Sequence, residues 1–200
     1  MDKSAALEQI RQRILQELEC PLKDAATNLV FGKGNPEAAI LFIGEAPGAK
    51  EDELGVPFVG AAGKELDALM HLIGLSLDDA YVANILKYRP PKNRDPSSEE
   101  IRCHTPYLVE QIKVICPRVL VTLGNFATKF VLGGCSVEKM KSVSGITALH
   151  GKHMPLSVDG WSGIVMPLFH PAAMLYRPQL RTVLQKDFLS LKEMLGQQTL

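Results

Sequence analysis

Four side chains carry chemistry that the segments around them do not themselves require: Glu45, Phe58, Asn84 and His170. Glu45 stands in the middle of Gly44-Glu45-Ala46-Pro47-Gly48, a turn whose two glycines and proline let backbone N–H groups approach a ligand closely. Phe58 lies in the loop Pro57-Phe58-Val59-Gly60, a setting that suggests a stacking platform. Asn84 interrupts an apolar run, and a buried amide is costly unless a loop or a ligand satisfies it. Because an amide both donates and accepts, it can pair with a nucleobase edge offering the same two functions. His170 closes another apolar run just before Pro171. Taken singly, each has a plainer reading: Glu45 as a turn or cap carboxylate, Phe58 as core, His170 as a loop staple.

The elements that must position these residues are readable from periodicity. Short apolar runs at Ala39–Ile43, Tyr81–Leu86, Val119–Leu123 and Ile164–Phe169 predict four buried strands. Between and around them, helical spacing predicts helices over Ser4–Glu19, Lys64–Ile73, Ser98–Ile115, Asn125–Leu132 and about Leu180–Leu195. Pro106 should kink or divide the third of these. Apolar strands alternating with helices imply an α/β fold: a three-layer α/β/α sandwich with a central four-stranded parallel sheet, because parallel strands need crossovers and are covered on both faces. Ligands bind beyond the carboxyl ends of such strands. Glu45, Asn84, Gly124 and His170 each follow or close one of the four, so one sheet edge should collect them.

The chain of 200 residues is 46% apolar, enough for a single domain over 1–200 with the first helix packed against it. Its 22 basic and 22 acidic residues cancel, which excludes a global basic field and makes any polyanion contact local. The run Lys87, Arg89, Lys92 and Arg94 leaves the sheet at the site edge, so phosphate contact is its expected role. The loop after His170, with Met174, Leu175 and Arg177, combines apolar side chains with a cation, as suits a wedge entering a base stack. No apolar run approaches membrane-spanning length, and a cytoplasmic monomer is expected. The four cysteines form no CxxC pair, so neither a disulfide framework nor the usual zinc spacing is indicated.

Together these residues resemble the uracil-DNA glycosylase superfamily, most closely its family-four branch of bacterial and archaeal iron–sulfur enzymes. The matching segments are Val30-Phe31-Gly32-Lys33-Gly34-Asn35-Pro36, Gly44 to Gly48 with Glu51-Asp52, Pro57-Phe58-Val59-Gly60 with Gly63, Asn84 with Lys87 and Arg89 to Arg94, Leu123-Gly124, and His170-Pro171-Ala172. The resemblance implies removal of uracil from DNA, with Glu45 positioning the attacking water and the Gly44, Ala46, Pro47 and Gly48 loop near base and sugar. It implies Phe58 stacking on the flipped base, Asn84 reading its edge and His170 bonding O2 as charge builds there.

At one corner the sequence departs from the family. The four cysteines that hold a [4Fe-4S] cluster there correspond to Glu17, Cys20, Tyr88 and His104, of which only one is a cysteine. A cluster-free, metal-free relative is therefore expected, in preference to a zinc site improvised from Cys20, His104 and Glu17. Ser144 also stands where the family commonly has arginine. Two rival functions stay open: a relative that binds uracil or nucleic acid without efficient catalysis, and a glycosylase for another deaminated base.

Overall fold

Alternation along the strands decides which side of the sheet each residue covers. In Ile40–Gly44, Leu41 and Ile43 point into one hydrophobic cluster while Ile40 and Phe42 point into a second on the other face. The computed structural model describes residues 2–197. Six strands, β1 (Lys33–Gly34), β2 (Ile40–Gly44), β3 (Ala80–Asn84), β4 (Val119–Leu123), β5 (Met154–Val158) and β6 (Trp161–Leu168), form one sheet in the order β1-β3-β2-β4-β6-β5. The central β3-β2-β4-β6 quartet is parallel, as expected. The expected four-stranded sheet is extended by β1 and β5, which pair antiparallel at its two edges. β5 escaped sequence reading because its burial alternates only between partial and exposed and it contains Pro155, which an edge strand tolerates.

The helices are α1 (Lys3–Glu17), α2 (Pro21–Ala25), α3 (Ala49–Leu54), α4 (Ala61–Leu72), α5 (Ser98–Ile115), α6 (Asn125–Leu132), α7 (Ile146–Leu149), α8 (Ala173–Tyr176) and α9 (Leu180–Gln197). Side chains from α1, α5 and α6 share one cluster with β2 and β3, and those from α4 and α9 share the other, which produces the three layers. Helix α1 stops short of the expected Glu19 because Leu18 turns extended before Pro21. Helix α5 is unbroken through Pro106. Pro106 cannot donate to the carbonyl of Arg102 four residues earlier, and the Thr105 hydroxyl does so instead at 3.2 Å. A full capping box, Ser97 with Glu100, fixes the start of that helix.

Candidate active site

The β2–β3 register sets Gly44 opposite Asn84, so the Glu45 turn and the Asn84 amide meet at the same strand ends. Past the sheet, Ile85 N–H donates to Gly44 O and Leu86 N–H to Glu45 O, which extends the pairing under the turn. His170 lies two residues beyond β6, next to Gly124 at the end of β4. These ends surround a cavity of about 350 Å³ lined by Glu45, Ala46, Pro47, Gly48, Phe58, Asn84 and His170, with Arg94 and Asn93 at its rim. Gly44 is obligatory here. A Cβ on it would lie 2.3 Å from Asn84 Oδ1 and 2.7 Å from the Phe58 ring.

Asn84 is 2% exposed and its Oδ1 has no hydrogen-bond partner. An acceptor left bare beside a cavity is a cost of about 1–3 kcal/mol that a bound donor would remove. His170 is arranged to donate. Its Nδ1 accepts from Ala172 N–H at 3.2 Å, so in the neutral ring the proton is on Nε2. Burial holds the ring neutral by lowering its pKa to about 4, with Glu51 opposing weakly. Glu45 is pushed the other way, up to about 7, chiefly by burial and then by the Asp95 carboxylate.

Phe58 is not an open platform. Its backbone is left-handed (φ 51°), its ring is 5% exposed, and it stacks on the His170 ring with centroids 5.7 Å apart. That spacing leaves no room for a base between the two rings. A bulky residue in this conformation costs about 1–3 kcal/mol and persists only when its surroundings hold it. They do: Glu51 Oε1 accepts from Val59 N–H at 2.9 Å and Gly60 N–H at 2.7 Å, and Lys33 Nζ donates to Phe58 O at 2.9 Å. Glu51 and Lys33 were visible in the motifs but carried no assigned role.

The basic run does not behave as one surface. Lys92 and Arg94 are exposed and Arg89 is half-buried with its Nε on Asn93 Oδ1. Arg94 is already paired through two hydrogen bonds with Glu100, whose carboxyl its guanidinium holds down to about 2. Lys87 is a correction: it is fully buried, its Nζ bonded to Asn84 O, Gln111 Oε1 and Phe31 O, and cannot reach a phosphate. Met174 is a second correction, since it is 3% exposed and packs into the α4–α9 cluster. In the same loop Leu175 is 43% and Tyr176 83% exposed, and Arg177 is exposed. Tyr176 is the projecting side chain that sequence reading passed over.

The corner holding Glu17, Cys20, Tyr88 and His104 is a packed interior. His104 is fully buried, donates Nδ1–H to Glu100 O at 2.7 Å and meets the Tyr88 ring edge-on at 6.1 Å. Cys20 is buried, and burial raises its thiol pKa. Glu17 is on the surface with Arg13. Among the described residues no group of three or more His, Cys, Asp or Glu is arranged to hold a metal ion. Two thiols, Cys20 with Cys103 beside it, two interlocked rings and an outward carboxylate do not fit a cluster that needs four thiolates.

The profile described as the uracil DNA glycosylase superfamily matches residues 31–192. The chain belongs to this superfamily. It is 42% identical over 191 residues to a type-4 uracil-DNA glycosylase of Sulfurisphaera tokodaii, covering 94% of this chain and 84% of the relative. It is 43% identical over 191 residues to one from Archaeoglobus fulgidus (96% and 94% covered) and 41% identical over 191 residues to one from Saccharolobus solfataricus (95% and 87%).

Proposed function

We propose that this protein is a DNA-repair hydrolase that flips uracil out of DNA and cleaves its N-glycosidic bond, leaving an abasic site. The observation that carries the reading is the unpartnered Asn84 Oδ1 facing the same cavity as a neutral histidine and a carboxylate with pKa about 7. The uracil N3–H donates to Asn84 Oδ1, and the ring lies against Phe58. As the bond to C1′ breaks, its electron pair leaves with the base and charge builds at O2, where Nε2–H of His170 donates. Glu45, once ionised, accepts a proton from the water whose oxygen bonds to C1′. The turn from Gly44 to Gly48 lines the sugar side. Cytosine presents an acceptor at N3 opposite Oδ1 and is refused for that reason.

Arg89, Lys92, Arg94 and Arg177 are the phosphate contacts in this reading, without Lys87, and Leu175 and Tyr176 enter the stack in place of Met174. The enzyme works as a single domain over residues 1–200, monomeric and cytoplasmic, and without a metal ion or iron–sulfur cluster. The unbroken sheet supports one domain, and among the described residues no helix is long and apolar enough to cross a membrane.

A single-turnover assay on a uracil-containing oligonucleotide tests the activity: alkali-labile sites at uracil and not at hypoxanthine or xanthine are expected. Tight binding without base release would replace this reading with that of a binding module. Iron, sulfide and zinc analysis with a visible absorption spectrum of the purified protein tests the cofactor statement, and stoichiometric iron and sulfide with a visible absorption band would overturn it.

A further inference from the structure

Among the described residues Lys87 is the one lysine whose whole side chain is in the interior, at 0% exposure, and no carboxylate is among its hydrogen-bond partners. Its Nζ donates to Asn84 O at 2.8 Å, to Gln111 Oε1 at 2.5 Å and to Phe31 O at 3.4 Å. The nitrogen also lies 5.9 Å from the centre of the Phe31 ring. Gln111 cannot reverse its amide to relieve this arrangement, because its Nε2–H already donates to Phe31 O at 3.2 Å. Three acceptors and no donor therefore converge on one nitrogen. An ammonium matches them with three N–H groups, whereas a neutral amine would set its lone pair against an oxygen. Burial alone pulls the Lys87 pKa down to about 7, and acceptors bonded to the charged form work against that pull.

The acceptors belong to three parts of the fold: the end of β3, the segment leading to β1, and α5. Asn84 O is the carbonyl of the residue whose side chain faces the cavity, and Lys87 O itself accepts from Val30 N–H. The lysine thus ties the Asn84 strand end to its two neighbours from beneath. We infer that Lys87 is a positioning residue: it fixes the Asn84 amide for the base edge, and its uncompensated positive charge under the cavity favours departure of the base as an anion. The inference rests on the glycosylase reading. Preorganised charge in a water-poor interior acts strongly on a leaving group without touching it, and a strand end loosened by about 1 Å costs catalysis on the order of 100-fold.

The test is Lys87→Met, close in volume and without the charge, assayed in single turnover on oligonucleotides carrying uracil or 5-fluorouracil. Fluorine withdraws electrons and makes the base a better anionic leaving group, so it needs less help from a buried cation. The expected result is a rate loss on the order of 100-fold on uracil, about tenfold less on 5-fluorouracil, and several-fold weaker binding of uracil DNA. A merely structural lysine would slow both bases equally, and equal losses or an unchanged uracil rate overturn the inference. If Lys87→Met does not fold, judged by cooperative thermal unfolding, Gln111→Met keeps the lysine but removes one acceptor. It should show a smaller loss with the same bias, uracil slowed more than 5-fluorouracil, because the charged form is harder to keep with one acceptor fewer; the same loss on both bases again overturns the proposal. Failure of the glycosylase reading is distinguishable, since it shows in the unmutated protein as binding without base release. Lys87 is then judged on affinity alone, and wild-type affinity in Lys87→Met sinks the positioning role.

Discussion

His104 is a fully buried imidazole and His170 a half-buried one; desolvation lowers the pKa of each to about 4, yet their backbone partners give them opposite proton arrangements. An N–H on the Nδ1 of His170 leaves Nε2 protonated, beside a cavity. The Glu100 carbonyl accepts from Nδ1–H of His104, which keeps the proton on that nitrogen and leaves Nε2 as a bare acceptor with nothing to meet. The comparison extends to the two unsatisfied atoms of the described interior, Asn84 Oδ1 and His104 Nε2. One borders a cavity that a ligand can enter; the other is enclosed by packed side chains. An orphaned polar atom points to function only where there is space for the partner it lacks, and the tautomer then says which partner that is.

The largest effects should fall on the cavity side. Asn84→Ala removes the edge-reading amide and His170→Ala removes the O2 donor, and each should lower the single-turnover rate on uracil DNA by roughly 10²–10⁴-fold. His104→Phe should leave that rate within about threefold of wild type, since its ring faces no reacting atom. A His170→Ala enzyme at full speed, or a His104→Phe enzyme slowed as much as His170→Ala, would erase the distinction between the two histidines.

Glu45 sharpens the contrast through pH. Its carboxyl is raised to about 7, so the ionised form that accepts the water proton is present only above that value. The rate should rise about tenfold per pH unit below 7 and level off above it. Glu45→Gln should abolish this limb along with most of the activity. Asp95→Asn removes the smaller of the two causes and should move the limb to lower pH, leaving the part due to burial; a rate profile unmoved by it would remove Asp95 from the site's electrostatics. His170, neutral across this whole range, contributes no limb above pH 5 or so.

The strand ends were legible because each parallel strand is an apolar run that stops abruptly at a residue of different chemistry, and the fold rule places such stops together. What was not legible depends on contacts distant in sequence. Lys87 belongs to a run that reads as solvated, and only the approach of Gln111 and Phe31 reveals it as interior. Pro106 reads as a helix breaker until Thr105 is seen to satisfy the carbonyl it abandons. The loop after His170 contains three side chains able to act as a wedge, Met174, Leu175 and Tyr176, and nothing local says that Met174 turns inward while Tyr176 projects. Phe58 was identified as exceptional for its loop setting, but its left-handed backbone and the Glu51 clamp that holds it needed coordinates. That Glu17, Tyr88 and His104 are not cysteines was plain from residue identity; the edge-on packing of Tyr88 against His104 was not.

Tyr176 offers a smaller effect on the cavity side. With 83% of its surface exposed beside Leu175, it contributes little to folding and is free to enter a base stack. Tyr176→Ala should slow uracil release from duplex DNA by several-fold, with little change on single strands whose bases need no extrusion. Met174→Ala should instead lower thermal stability, because it removes a buried side chain, at a cost of about 2–5 kcal/mol. Reversed outcomes for the two would exchange their roles.

The smallest effect, at neutral pH, should come from His104→Phe. The substitution gives up the Nδ1–H bond to Glu100 O, worth about 0.5–1.5 kcal/mol, and relieves the bare Nε2, a penalty of about 1–3 kcal/mol. The rings are similar in size and the Tyr88 contact survives as an aromatic pair, so the net change at pH 7 should lie near zero or slightly toward greater stability. Acid separates the two proteins. His104 titrates near 6.5 when unfolded and about 4 when folded, so the unfolded chain binds the proton first. Wild-type stability therefore falls as pH drops from about 6.5 to 4, and His104→Phe should lose less over the same window, by on the order of 1 kcal/mol or more. Denaturant unfolding at pH 7 and pH 5 measures both terms, and a variant that loses stability at pH 7 while keeping the wild-type acid dependence would mean that His104 Nε2 has a partner after all.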